Sequence, residues 1–432
     1  MASPAGRRGF HRLVAATAVT NLGDGVGAVA YPWLASLVTR RPLLVALVVA
    51  AQRLPWLLVS VPAGVLADRV DRRRLIVVTD LWRGSVTLAV AAVVLLRIPV
   101  GADPATTGDT DVVLYLIVVV ATVAVGCAEV IRDNAAQSLL PSLVPVGELE
   151  RANGRLWIAE LLANTFVGPP LGALLVGVTL AAAIAVDAVS FLVAALLVAT
   201  LPGVFRASSA PGAGGTWWGE AKEGLRWLWG HELLRPLAIT LGTMNLASSI
   251  SAATLVLYSQ DVLGGGSIGF AAITMGGAFG GVLAGVLAGS LTARLAPGRT
   301  LVLVILGCGL GAALVGVAPV WEVAMAAFVV TGFLGTTWNV VTVSLRQAII
   351  PDHLLGRVNS VYRLLAWGAM PVGAAIGGGL VTVLSTLTDR SSALRATWFV
   401  EAGIYLLLLL VAPQRLTSRR IAEARQGAQV RS

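Results

Sequence analysis

Twelve apolar stretches, each long enough to cross a bilayer, take up most of the chain and leave it few other folds. A membrane helix needs about 20 mostly apolar residues, allowing for tilt. Such runs lie at roughly 12–38, 43–66, 74–97, 112–137, 154–177, 180–201, 234–260, 267–292, 299–318, 322–346, 359–387 and 393–412. A soluble chain of this length carries about a quarter charged residues, whereas this one has 12% charged and 57% hydrophobic residues. The expected fold is therefore an all-α polytopic membrane protein with twelve transmembrane helices. Its 48 glycines are spread through the apolar runs, which suits close helix packing rather than disorder. Met1–Arg12 leads into a run of full membrane length followed by further spans, so no cleavable signal is expected.

Charge placement orients the spans. With the N-terminus inside, the inner segments hold 22 arginines and lysines and the outer loops five: Arg40, Arg41, Arg97, Arg390 and Arg395. That asymmetry obeys the positive-inside rule and predicts both termini in the cytoplasm. The formal charge of +9 thus belongs to loops facing anionic headgroups, and no nucleic-acid partner is expected. Cys127 and Cys308 sit in separate apolar runs and suggest no disulfide.

The longest hydrophilic break divides the runs six and six. It predicts an N-terminal half at 1–201, a cytoplasmic linker at 202–233, a C-terminal half at 234–412 and a basic tail at 413–432. Within the linker, Trp217–Trp229 mixes Glu220, Lys222, Glu223 and Arg226 with Trp218, Leu225, Trp227 and Trp229, the pattern of an interfacial helix. The halves echo each other: Gln137–Pro141 is answered by Gln347–Pro351, and Pro170–Gly172 by Pro371–Gly373. Such repeats imply pseudo-symmetric halves around a midplane site. On the eighth run Gly277, Gly281, Gly285 and Gly289 recur every fourth residue, the signature of a packing surface.

Between the second and third runs lies a tight arginine-rich turn, Gly64-Val65-Leu66-Ala67-Asp68-Arg69-Val70-Asp71-Arg72-Arg73-Arg74. Gly64 permits a close backbone turn, and Asp68 and Asp71 can cap helix ends or pair with arginine. This stretch resembles the signature loop between helices two and three of the major facilitator superfamily, apart from Asp71, where that pattern most often has glycine. Gly64, Asp68, Arg69, Arg72 and Arg73 are then expected to form a gating loop, with Asp68 bonding to the inner end of the eleventh helix near Asn359. Gly168-Pro169-Pro170-Leu171-Gly172 resembles the glycine–proline motif of antiporters in the same superfamily. Proline removes a helix hydrogen bond and glycine permits close packing, so this helix is expected to bend. Residues 128–137, the Leu140-Pro141 corner and Arg151–Leu156 look like the bacterial branch that holds the enterobactin exporter and the macrolide efflux proteins.

Ionisable groups inside spans are costly unless they face a partner or water. Asn21 and Asp24 lie near the middle of the first run, and Glu129, Arg132 and Asp133 share one side of the fourth, where Arg132 can pair with Glu129. Asn245 lies on the seventh run, and Asn339 and Arg346 on the tenth. The resemblance implies that helices one, four, seven and ten line a cavity, which would gather Asn21, Asp24, Glu129, Arg132, Asn245, Asn339 and Arg346. Asp24 has no basic residue within a helical turn, so it is the expected proton-exchanging group, with Glu129–Arg132 shaping the pocket. Asp80 and Arg83 read as a local pair supporting the loop, and Glu160, Asp187 and Glu401 as packing acids.

These features point to a secondary transporter of the cell membrane, working as a monomer without cofactor or metal. The resemblance implies proton-coupled export of lipophilic or amphiphilic small molecules. Uptake, or a non-transporting sensor on the same fold, are the alternatives. An enzyme is disfavoured: His11, His231 and His353 are the only histidines, all at cytoplasmic ends, and no catalytic or nucleotide-binding motif is present.

Overall fold

The computed structural model describes residues 4–60, 62–63, 66, 70–104, 108–145, 148–201, 203, 205 and 217–429, and every regular element among them is helical. Only helices satisfy all backbone groups within a single lipid-crossing segment, which is why apolar runs of this length wind up. Among the described residues eleven helical stretches are long and apolar enough to span a membrane. The remaining run expected from the sequence, at 43–66, is helical over the 17 residues Pro42–Leu58, and Gly64, Asp68 and Arg69 lie outside the described residues.

The chain divides into two compact units, Met1–Pro211 with Gly266–Ala271, and Gly212–Gly265 with Ala272–Ser432. The first contains α1 (Pro4–Val38), α2 (Pro42–Leu58), α3 (Arg72–Arg97), α4 (Val112–Leu139), α5 (Leu149–Glu160), a π-helical segment (Leu161–Val167), α6 (Gly168–Val178) and α7 (Leu180–Ala199). The second contains α8 (Trp217–Gly230), α9 (Leu234–Ala252), α10 (Leu255–Asp261), most of α11 (Gly266–Leu295), α12 (Pro297–Val317), α13 (Trp321–Ile349), α14 (Asp352–Leu384), α15 (Arg390–Arg415) and α16 (Ser418–Gln429).

Each unit is packed on the same internal plan. In the first, α1 lies against α6 and α7, and α3 against α7 and α4; in the second, α9 lies against α14 and α15, and α12 against α15 and α13. The close contacts repeat too. A Cβ on Gly168 would stand 2.6 Å from the Gly25 Cα, and one on Gly172 2.8 Å from the Val26 carbonyl. In the second unit Gly373 and Gly377 press as hard against the Leu246 and Ile250 carbonyls. Bare backbone lets helices approach this closely when no hydrophobic effect drives them together.

Two expectations change in detail. The eighth-run glycines form no single surface: Gly277 and Gly280 press on the α13 backbone, whereas a Cβ at Gly285 or Gly289 would meet nothing within 4 Å. The tail beyond residue 413 carries a helix, α16, whose Ile421 is buried in the second unit's core. The linker helix α8 rests on α14, with Gly224 against the Arg357 carbonyl and Glu223 paired to Arg357 at 2.5 Å.

Candidate functional site

The charged centre of the first unit is built by four helices. α1 contributes Thr20, Asn21, Asp24 and Tyr31; α3 contributes Asp80, Arg83 and Thr87; α4 contributes Glu129, Arg132 and Asp133; α7 contributes Asp187 and Phe191. On α3 and α4 these spacings of three and four residues place each set on one helix face. Arg83, 1% exposed, is the hub. Its Nη2 donates to Asp24 Oδ1 at 2.6 Å, and Glu129 Oε2 stands 3.9 Å from the same nitrogen. Its Nη1 lies 3.8 Å from Asp80 Oδ1 and reaches Thr20 Oγ1 at 3.4 Å. The Phe191 ring covers the guanidinium at 3.8 Å, a cation–π contact that keeps water off that face.

Arg132 forms the second cationic node. Its Nε is 3.5 Å from Asp80 Oδ1 and its Nη1 donates to Asp133 Oδ1 at 3.3 Å. Asp80, fully buried, therefore bridges two guanidiniums through one oxygen. Beyond Arg83, the Tyr31 hydroxyl donates to Asp187 Oδ2 at 3.0 Å, while Asp187 Oδ1 is buried without a hydrogen-bond partner. Only glycine fits opposite: a Cβ at Gly23 would fall 1.9 Å from Ser190 Oγ and 2.7 Å from Asp187 Oδ1. The exposures form a gradient, with Asp24 and Glu129 at 26% and 36% and Arg83 and Asp80 sealed behind them.

The glycine–proline motif opens α6, and the winding before it is loosened. Pro169 and Pro170 have no N–H to give the carbonyls a turn back, and proline rings crowd those carbonyls. The helix answers with π winding over Leu161–Val167, closed by the Gly168 N–H bonding to the Ala163 carbonyl. Asn164 sits in this segment and donates to Asn21 Oδ1 at 3.3 Å, tying the π turn to α1 three residues from Asp24. Such π turns concentrate at functional positions.

The loop residues that are described hold helix ends. Asp71 caps α3, accepting from the Arg74 N–H at 2.9 Å and the Phe205 N–H at 2.7 Å. Burial pushes the Asp71 carboxyl up, but the Arg74 and Phe205 N–H groups and the Arg73 charge outweigh it and hold the carboxyl below the ordinary 3.8. Arg72 donates to the Ser138 carbonyl at 2.9 Å and Arg73 to the Leu201 carbonyl at 2.6 Å. Both cations thus sit at the carbonyl-rich ends of α4 and α7, where helix dipoles favour them.

In the second unit the expected residues are engaged separately. Asn245 on α9 donates to the Ala366 carbonyl of α14 at 2.9 Å, and Asn339 to the Gly335 carbonyl of its own helix at 3.3 Å. The Arg346 guanidinium stacks 4.0 Å above the Tyr362 ring. Glu401 accepts a hydrogen bond from Ser251, so here too an acid on the last spanning helix meets a hydroxyl on the first.

Asp24, Glu129 and Arg132 thus lie in one charged cluster, but the pairing differs from expectation. Glu129 faces Arg83 across helices rather than Arg132 on its own helix, and Asp24 has a direct cationic partner. Reasoning along the chain missed Arg83 as hub, together with Asp187 and Tyr31. Their signal was weak: single polar residues in apolar runs, each needing a partner in lipid.

The profile of the transmembrane secretion effector family matches residues 2–423. The chain is 28% identical over 374 residues to the multidrug efflux pump Tap of Mycobacterium tuberculosis, an alignment covering 84% of this chain and 85% of the relative. It is 25% identical over 194 residues to the enterobactin exporter EntS of Escherichia coli, covering 44% and 45%. Among solved structures, a nucleoside transporter NupG mutant matches with TM-score 0.75 at 10% identity, covering 94% of this chain and all of that one. A bacterial homologue of the iron transporter ferroportin matches with TM-score 0.67 at 17% identity, covering 95% and 99%. At these identities the structural likeness is one of fold. Helices of spanning length, the arginine-rich loop and a family match over nearly the whole chain converge: this is a multi-pass membrane protein of the transmembrane secretion effector family, within the major facilitator superfamily.

Proposed function

We propose that the protein is a proton-coupled exporter of lipophilic or amphiphilic small molecules. In this reading it works by alternating access, as a monomer of twelve spans in two six-helix halves, in the cell membrane with both termini cytoplasmic. Export is supported by the relatives named as efflux pump and exporter. Proton coupling rests on the charges of the buried cluster. Five carboxylates (Asp24, Asp80, Glu129, Asp133 and Asp187) surround two buried guanidiniums (Arg83 and Arg132), with the exposed Arg53 reaching Glu129 only through its field, so acids outnumber cations. An uncompensated charge at membrane depth is costly, and protons are the cheapest way to remove the surplus. We assign the proton to Asp24 because it is partly exposed and because its protonation, although opposed by the Arg83 charge, breaks the 2.6 Å contact that joins α1 to α3 and so couples the proton to a structural change. When Asp24 is neutral, Arg83 is released toward Glu129.

Flux in proteoliposomes with an imposed pH gradient tests this. Asp24→Asn is expected to abolish the response to the gradient while leaving substrate binding partly intact, and Glu129→Gln to weaken binding. Gradient-driven efflux that persists in Asp24→Asn and vanishes in Glu129→Gln with binding unchanged would reverse the assignment. Net accumulation rather than extrusion would select uptake, and no flux at all a sensor.

A further inference from the structure

The two units carry opposite electrostatic solutions at matching places. The repeat that pairs Gln137 with Gln347 has an offset of 210, which sets Glu129, Arg132 and Asp133 against Asn339, Thr342 and Val343. The second unit therefore lacks the acids of the first at these positions. It carries instead Arg346, at the place of Ala136. In the first unit both buried guanidiniums are met by carboxylates. Among the described residues Arg346 is met by none: its contact is the Tyr362 ring, and its Nε is buried without a hydrogen-bond partner.

Two more buried donors on α13 and α14 are unmet among the described residues. Trp338, Thr342 and Arg346 follow one another down one side of α13 at four-residue spacing. Trp338 is 1% exposed and its indole Nε1 has no partner. Tyr362, equally sealed, has its hydroxyl beside Thr342 without a hydrogen bond of normal geometry. The Thr342 proton itself goes to the Trp338 carbonyl. Trp338 and Tyr362 are sealed, but Arg346 keeps part of its surface open, and a cation at membrane depth without a counter-charge calls for an anion. Arg363 follows Tyr362 on α14, exposed and stacked 5.4 Å from the Trp367 ring, also without a carboxylate among the described residues.

We infer that Arg346, backed by the Tyr362 ring, forms a binding site for the anionic head, carboxylate or phosphate, of an amphiphile. The charge is positive, Arg363 adds a second cation beside it, and an aromatic ring backs the guanidinium. A planar guanidinium can grip a carboxylate or phosphate with two parallel bonds. The apolar tail lies along the aromatic and aliphatic surface that α13 and α14 present. This names the substrate class of the export reading and rests on it, although a bilayer lipid offers the same head chemistry.

Binding of radiolabelled dodecyl phosphate to the full chain in phosphatidylcholine nanodiscs tests the site, with dodecyltrimethylammonium as the head-group control. The anionic probe is expected to bind at least about tenfold tighter than the cation, and Arg346→Gln to lose about tenfold, the value of a charged hydrogen bond. Arg346→Lys, which loses the planar fork, and Tyr362→Leu, which loses the ring behind it, are each expected to bind more weakly than the parent, so the site stays testable if one variant fails to fold. Adding phosphatidylglycerol distinguishes the sources. Competition with the probe makes the headgroup the occupant; its absence leaves the free amphiphile, and either outcome supports the site. Equal binding of both head groups, or unchanged affinity in folded Arg346→Gln, overturns it. Efflux of the same probe reads the export proposal separately: binding without flux removes export and keeps the site, and flux with binding independent of Arg346 does the reverse.

Discussion

Arg83→Gln is the substitution from which the structure expects most. The guanidinium sits 2.6, 3.8 and 3.9 Å from Asp24, Asp80 and Glu129. At an effective dielectric near 20 those attractions are about 6, 4 and 4 kcal/mol gross. Asp24 thus supplies a little under half of what holds Arg83, and the Glu129 share shrinks further because that side chain is 36% exposed. Removing one partner of a buried pair costs about 3–5 kcal/mol net, because the other charges are left behind. Arg83→Gln strips the Arg83 contact from Asp24, Glu129 and Asp80, of which only Asp80 keeps Arg132, whereas Asp24→Asn leaves Arg83 with two carboxylates, so the second is expected to cost about 2 kcal/mol, under half as much. For a unit of this size the first corresponds to a fall of roughly 6–20 °C in melting temperature. Cys127 and Cys308 are partly and fully buried, so a thiol-reactive fluorophore on detergent-solubilised protein reads the unfolding. In the double variant, Arg83→Gln with Asp24→Asn, the losses are expected to overlap by about 1–3 kcal/mol, since both delete one contact. Strict additivity, or equal losses from the two single variants, would refute the hub role of Arg83.

Asp71→Ala is expected to cost about 1 kcal/mol from the lost cap, read in the same thermal assay. Because the Asp71 carboxyl is held below the ordinary 3.8 when folded, its contribution is full above that value and fades as pH falls through the lower folded value, so the parent and Asp71→Ala curves should converge in acid. Gly168→Val should destabilise by about 1–3 kcal/mol or more through overpacking, since its Cβ would overlap the Gly25 backbone; a well-behaved, equally stable variant would sink the close-contact account of α1 and α6. Cysteines placed at Gly108 and Thr388 should label from outside intact cells, and those at Ser208 and Gln426 should not. Labelling of Ser208 from outside would overturn the proposed orientation.

Much of the fold was legible because spans are written in length and composition, and lipid enforces helix once a run is long enough. The acids inside spans also stood out, since each is costly where it lies. Their partners did not. Asp24 and Arg83 are 59 positions apart, and no local spacing rule joins them; the pairing depends on how α1 and α3 are rotated against each other. The rule for neighbours on one helix favoured Glu129–Arg132, but Arg132 instead turns to Asp80 on α3 and to Asp133. Arg346 was readable as a charge in a span, and its lack of a carboxylate became visible only once α14 was packed beside it.

A π turn is an α-helix carrying one residue more than its winding calls for. Across Leu161–Val167 the angular phase of the chain therefore slips by about 100°, and a helical wheel drawn straight through this span sorts its two ends wrongly. Deleting one residue inside the segment would leave Gly168 and Gly172 docked on Gly25 and Val26 while swinging Trp157 and Glu160 to a new bearing. Length and rotation are interchangeable here, so α5 can be re-aimed by a change of register with the glycine contacts of α6 left in place.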